Sequence, residues 1–266
     1  MPAPKKSLGQ NFLMHPEIAG RIVRAADVPS GTTVLEIGPG TGMLTRALLA
    51  DGYSVIGVEA DGELVQDLQK TFAQEVRDGR LALFHADIRT FEDLPSSYAL
   101  VANIPYYITG EIIRMFLTTP RKPQSMTLLV QKEVAERIAR SGKGRSLKES
   151  LLSLSVKAYG EPKYCFTVPR GAFRPAPSVD SAVISIRDIK TAAFESSESE
   201  RFFFEMLRKG FAHKRKLLSG NLAALAGAGK INSVFEEAGI PPKARAEDLE
   251  LGDWKRLSEV FGLKKT

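Results

Sequence analysis

From residue 33 onward, short apolar runs alternate with segments of helical period, and that alternation leaves few folds open. Runs at 33–37, 54–58, 81–84, 100–102 and 126–130 read as strands, and 43–49, 64–76 and 108–117 as helices. Strands that return through helices pair in parallel and need cover on both faces, so the pattern predicts an α/β domain with a parallel sheet between helical layers. Ahead of it, residues 1–30 read as a polar arm and a helix, with Pro16 in the first turn and Ile18, Ile22, Val23 and Ala26 on one face. Two later β-type runs, 163–168 and 182–186, flank Phe173-Arg174-Pro175-Ala176-Pro177. Proline removes ladder donors, so that segment is expected as a loop joining a final antiparallel pair. Residues 190–200 are Ser/Glu-rich and read as a linker, and 202–211, 216–225, 231–238 and 254–261 read as helices, the last two separated by Pro241-Pro242. The expected domains are 1–189 (α/β with the arm) and 190–266 (helical).

With 43% apolar and 26% charged residues over 266 positions, the chain has ample material for a core and is neither fibrous nor disordered. No run approaches the roughly 18 apolar residues of a membrane span. The first residues, Met1-Pro2-Ala3-Pro4-Lys5-Lys6-Ser7, lack the apolar core of a secretory signal. Cys165 is the single cysteine, which excludes a disulfide framework and a thiolate zinc site, so no metal is expected and a reducing, cytoplasmic setting is. The net charge is +6, and its distribution is uneven. Between Arg121 and Lys148, eight basic residues (Arg121, Lys122, Lys132, Arg137, Arg140, Lys143, Arg145, Lys148) face only Glu133 and Glu136. A second cluster, Arg208, Lys209, Lys214, Arg215 and Lys216, contains no acid. Such clusters suit a polyanion such as nucleic acid, or else are solvated helix faces.

Glu36-Ile37-Gly38-Pro39-Gly40-Thr41-Gly42 joins the first strand of the alternation to its helix. Glycines there let the backbone turn tightly and approach a ligand beside unpaired helix N–H groups. Glu59 closes the second strand, where a carboxylate can accept both hydroxyls of a ribose. Asp87 follows the third, where a carboxylate can accept from an adenine amine. Nicotinamide enzymes share the glycine turn and downstream acid, but their third glycine would fall at Met43.

Asn103-Ile104-Pro105-Tyr106 ends the fourth strand. Methylating an exocyclic adenine amine meets a specific obstacle: the N6 lone pair is delocalised into the ring. Two oxygens accepting from the N6 hydrogens favour the pyramidal nitrogen, on which the pair is free. Asn103 can supply one through its amide and Ile104 the other through its carbonyl, while Pro105 has no N–H to compete. Tyr106 offers a flat face on which an extruded base stacks.

These strings resemble those of the small-subunit ribosomal RNA adenine-N6,N6-dimethyltransferases, the kasugamycin-resistance family. The likeness runs through nearly the whole chain: Leu8-Gly9-Gln10-Asn11-Phe12-Leu13, residues 36–42, Glu59, Asp87, residues 103–106, 131–138, 168–181, and Phe211 with Lys214-Arg215-Lys216. Ile104 stands where the family often has Leu, and Ser146-Leu147-Lys148-Glu149-Ser150-Leu151-Leu152-Ser153 lacks its frequent Tyr-Gly.

The resemblance implies a Rossmann-like class I methyltransferase sheet with a small all-helical C-terminal domain, and S-adenosylmethionine as cofactor. It implies that Asn11 and Leu13 close over the cofactor, that Gly38, Gly40 and their loop hold its methionine part, Glu59 its ribose and Asp87 its adenine amine. Asn103 would lie between cofactor and target nitrogen. Phe173 would clamp the flipped adenine opposite Tyr106, and Lys214, Arg215 and Lys216 would lie on a basic helix that tracks RNA phosphates. The implied reaction dimethylates two adjacent adenosines near the 3′ end of small-subunit RNA, on a partly assembled subunit, by a monomer. A DNA adenine methyltransferase shares the Asn103–Tyr106 logic, though no large target-recognition segment is visible. An assembly factor that binds nucleic acid without catalysis is the reading from a different class, and a nicotinamide oxidoreductase the most distant.

Overall fold

A computed structural model describes residues 4–5, 8–139, 148–227 and 229–263. Arg140, Lys143 and Arg145 of the first basic cluster lie outside them. In chain order the elements are β1 (Phe12–Leu13), α1 (Pro16–Ala26), β2 (Thr33–Ile37), α2 (Met43–Ala50), β3 (Ser54–Glu59), α3 (Gly62–Thr71), α4 (Ala73–Arg77), β4 (Leu81–His85), β5 (Ala99–Asn103), α5 (Thr109–Thr118), β6 (Met126–Gln131) and α6 (Lys132–Ala139). They continue with α7 (Leu151–Tyr159), β7 (Glu161–Val168), β8 (Phe173–Arg174), β9 (Ser181–Arg187), α8 (Ser197–Gly210), α9 (Leu218–Ala226), α10 (Ile231–Glu237) and α11 (Leu251–Leu263). Among the described residues, no helix is long and apolar enough to cross a membrane.

The chain divides into two compact units, the first comprising Met1–Ala139 and Gly160–Ile189. Its seven-stranded sheet has the order β4-β3-β2-β5-β6-β9-β7. The pairs among β2 to β6 are parallel, and β9 runs antiparallel to both β6 and β7. The central strands are buried on both faces, which is why they read as unbroken Val, Leu, Ile and Ala runs rather than as alternation. The expected antiparallel pair is present, and the Pro-rich loop between its strands carries β8. That short strand pairs with β1, setting Phe12 opposite Arg174 and Leu13 opposite Phe173. The expected helix 64–76 is two helices: at Phe72 the backbone leaves helical geometry (φ −112°, ψ 32°) while the ring is buried in the core. Burial of that ring outweighs helical continuity.

The second unit joins Arg140–Tyr159 to Lys190–Thr266, so the helical body also draws in the segment before Gly160. The physical reason is apolar: the ring of Tyr159 stacks on Phe204 at 5.6 Å and packs edge-on to Phe194. Phe203, Leu207, Leu218, Leu222, Trp254 and Leu257 are among the other buried side chains of its core. Helix α8 begins inside the Ser/Glu-rich segment that reads as a linker, because Ser196 and Ser199 cap it reciprocally and satisfy two otherwise unpaired N–H groups.

Candidate active site

Strand order reverses between β2 and β5, the position at which open α/β sheets leave a crevice beyond their carboxyl ends. A pocket occupies that crevice and holds about 1100 Å³ counting its open mouth. Residues 36–41, 58–60, 86–89 and 103–108 form its floor and walls, and residues 8–13 of the arm cover it.

The glycine turn is built on left-handed backbone, with φ of +64°, +60° and +80° at Gly38, Gly40 and Gly42. Gly42 also caps α2, where a Cβ would stand 2.6 Å from the Phe72 ring, so both conformation and space demand glycine. Glu59 reaches back from β3 into the turn. One of its carboxylate oxygens accepts from the Gly40 N–H and the other from the Asp61 N–H, each at 3.0 Å. Burial pushes Glu59 above the usual carboxylate range, against the pull of those N–H groups. Each oxygen keeps a further lone pair for a ligand hydroxyl. Asp87 lies past β4, gripped by the Arg89 guanidinium at 2.5–3.1 Å, which holds its carboxyl below the usual range. Beneath the turn, Glu36 is fully buried with the Thr45 hydroxyl donating to it at 2.7 Å. Burial raises its pKa to about 8, so it is largely protonated at neutral pH.

The arm is anchored by a carboxylate that sequence reading passed over. Asp61, nearly inaccessible, accepts from Lys5 Nζ at 2.8 Å and Gln10 Nε2 at 3.2 Å while capping α3 through Glu63 N–H. Burial pushes its pKa up, but Lys5, Gln10 and the Glu63 N–H outweigh that and leave it lowered. With the arm so placed, Asn103 Nδ2 donates to the Asn11 carbonyl at 3.1 Å. Asn103 Oδ1, an acceptor only, is the other end of that amide. Ile104 is buried at the end of the strand, and Pro105 opens the short turn that carries Tyr106 and Tyr107. The Tyr106 hydroxyl is hydrogen-bonded to Ser181 Oγ at 2.5 Å, and its pKa is raised by burial.

Asn11, Leu13, Gly38, Gly40, Glu59, Asp87, Asn103, Ile104, Pro105 and Tyr106 therefore line one pocket. Two expectations differ. Phe173 is a core residue, 4% exposed and packed with Leu13 through the β1–β8 pair, and it does not line the pocket. A ring opposite Leu13 gains more by closing the arm onto the core than by standing in water. Lys214, Arg215 and Lys216 are exposed, but on the turn between α8 and α9 and not on a helix. Phe211 ends α8 with its ring stacked on Trp254, which turns the chain before the cations begin.

The family model for ribosomal RNA adenine dimethylase matches residues 2–262. This chain belongs to the ribosomal RNA adenine dimethylase family. It is thus an enzyme of a methyltransferase family. It is 42% identical over 263 residues to the ribosomal RNA small subunit methyltransferase A of Dehalococcoides mccartyi strain CBDB1, covering 95% of this chain and 87% of that one. It is 39% identical to the protein so named from Synechococcus sp. strain JA-3-3Ab, covering 98% and 94%. Among solved structures, the 23S ribosomal RNA methyltransferase ErmE matches with TM-score 0.76 and 27% identity over 95% of this chain and all of that one. A dimethyladenosine transferase from Plasmodium falciparum matches with TM-score 0.76 and 25% identity over 96% and 98%. These likenesses agree with the expected Rossmann-like methyltransferase sheet and helical C-terminal part.

In this dimethylase, sequence reading missed Asp61, Arg89 and Tyr107. Asp61 could have been flagged as a helix N-cap just after a strand. Tyr107 repeats the aromatic of Tyr106; it lines the pocket, is 65% exposed, and lies against Gly9. Arg89, two residues past Asp87, could have been flagged as a cation beside a strand-end carboxylate.

Proposed function

We propose that the chain dimethylates N6 of two adjacent adenosines near the 3′ end of small-subunit ribosomal RNA, using S-adenosylmethionine and acting on a partly assembled subunit. The observation that carries the reading is the commitment of Asn103 Nδ2 to the Asn11 carbonyl, which leaves the amide oxygen as the end available to a substrate donor.

The pocket fits the cofactor by its donor set: a carboxylate at each of two strand ends, a glycine turn open to close approach, and a covering arm. Glu59 would hold the ribose hydroxyls, Asp87 the adenine amine, Gly38 and Gly40 the methionine part, with Asn11 and Leu13 above. S-adenosylmethionine supplies an electrophilic methyl carbon when bound. Asn103 Oδ1 and the Ile104 carbonyl accept the two N6 hydrogens and favour the nucleophilic, pyramidal amine. Pro105 keeps a competing donor out of the turn, and Tyr106, its hydroxyl held by Ser181, orients the extruded base. The chain thereby contributes position and acceptors, and the acidic product amine loses its proton to solvent without a dedicated base. For the second methyl, one acceptor suffices, because one N6 hydrogen remains. Lys214, Arg215 and Lys216 would meet RNA phosphates without reading sequence.

Incubation with labelled S-adenosylmethionine and, in parallel reactions, undermethylated small subunits, large subunits and duplex DNA, followed by mapping, should place dimethyladenosine at adjacent adenosines of the small-subunit RNA. Label confined to large-subunit RNA, or to duplex DNA, would overturn the assignment.

A further inference from the structure

A second recess opens where β6 ends and α6 begins. It holds about 980 Å³ counting its mouth and is lined mainly by Gln131, Lys132, Glu136, Arg170, Ser178 and Asp180. Asp180 organises it: its carbonyl accepts from the Lys132 N–H and its carboxylate from the Arg170 N–H, both at 3.0 Å. The backbones that carry the two cations are thus fixed to one loop. Lys132 and Glu136 are four residues apart on α6, where opposite charges ordinarily meet. Among the described residues, however, neither they nor Arg170 has an ion-pair partner, whereas neighbouring Glu133 is paired with Arg137. A bare anion would face Glu136 and Asp180, and a bare cation Lys132 and Arg170. A ligand carrying both a phosphate and an amine donor satisfies both signs.

The recess adjoins the methyl-transfer pocket. Gln131 pairs with Ser181, and Ser181 is the residue bonded to the Tyr106 hydroxyl. Asn103 on β5 is in register with Leu129, two residues before Gln131, on the neighbouring strand about 4.8 Å away. We propose that this recess seats the nucleotide next to the target adenosine, its phosphate against Lys132 and Arg170 and its base amine against the Glu136 carboxylate. The proposal rests on the RNA-adenine reading above and adds a subsite to it. Phosphate contacts of this kind set register, and a carboxylate accepting from a base amine adds discrimination.

The test uses the full chain and undermethylated small subunits assembled with one of two synthetic versions of the RNA 3′ end. One carries two adjacent adenosines; in the other, the neighbour of the scored adenosine is a purine riboside without the 6-amino group. Wild-type kcat/KM for the scored adenosine should fall about tenfold on the purine RNA, a typical loss for one unmet polar contact. Glu136→Ala should lose about as much on the parent RNA and nothing further on the purine RNA. Lys132→Ala and Arg170→Ala should weaken both RNAs equally and flatten the salt dependence. Equal wild-type rates on the two RNAs, or losses in Glu136→Ala that multiply with the purine substitution, overturn the subsite. Absence of any wild-type transfer to the parent RNA overturns the functional reading and the subsite together.

Discussion

The side-chain amide nitrogen of Asn103 donates to the backbone carbonyl of Asn11, 3.1 Å away and 92 residues earlier in the chain. This bond ties the covering arm to the strand end and decides which way the amide faces. Asn103→Ala removes an acceptor but little buried apolar area. Transfer to undermethylated small subunits should fall by about a hundredfold or more, as when one oriented hydrogen-bonding group is lost from a reaction site. Thermal unfolding should stay within a few degrees of wild type. Retention of full transfer would contradict the role given to the amide.

The Tyr106 hydroxyl and Ser181 Oγ are 2.5 Å apart. Tyr106→Ala removes the stacking face, worth about 1–3 kcal/mol, so KM for RNA should rise by roughly 5- to 150-fold. Cofactor affinity measured by calorimetry should change little. Tyr106→Phe and Ser181→Ala both break the same bond, so the double variant should lose no more than the worse single one. Multiplying effects would show that the two side chains act independently.

Phe173 pairs across from Leu13 in the core. Phe173→Ala should cost about 3–5 kcal/mol of stability, the usual loss for deleting a buried ring. It is expected as a lower midpoint in chemical denaturation. A variant with unchanged stability and lost RNA methylation would return Phe173 to the base-clamping role.

Glu36 is buried, with its pKa raised to about 8, and Glu59 is shifted in the same direction by burial. An acid raised on folding binds its proton more tightly in the native state. Its contribution to stability is therefore complete below the unfolded value, near 4.5, and is lost as pH rises toward 8. Denaturation midpoints should fall across that window. Glu36→Gln, neutral throughout and still able to meet the Thr45 hydroxyl, should flatten most of the decline. An unchanged slope in that variant would mean that Glu36 is not the group responsible.

Lys214, Arg215 and Lys216 are exposed on the α8–α9 turn. Reversing all three to Glu should weaken subunit binding and lower the log–log salt slope by about 2–3. Cofactor binding should be untouched, and filter binding at several salt concentrations measures the effect. An unaltered slope would place the phosphate contacts elsewhere.

The alternation of strands and helices, the glycine turn and the acids at successive strand ends were legible in the sequence because each answers a local demand. Burial on both faces requires continuous apolar runs, and left-handed backbone requires glycine at Gly38, Gly40 and Gly42. The Asn103–Tyr106 string was legible for a similar reason, since the chemistry of one amine dictates which acceptors must follow one another. Tertiary structure alone decided the direction of the Asn103 amide, the burial of Phe173 under the β1–β8 pair, and the anchoring of Lys5 and Gln10 by Asp61. It also decided that Tyr159 and its helix join the helical unit, and that three cations expected on a helix ride a turn. Each of these depends on a partner distant in sequence, and such a partner is chosen when the whole chain competes to bury its apolar surface and pair its polar groups.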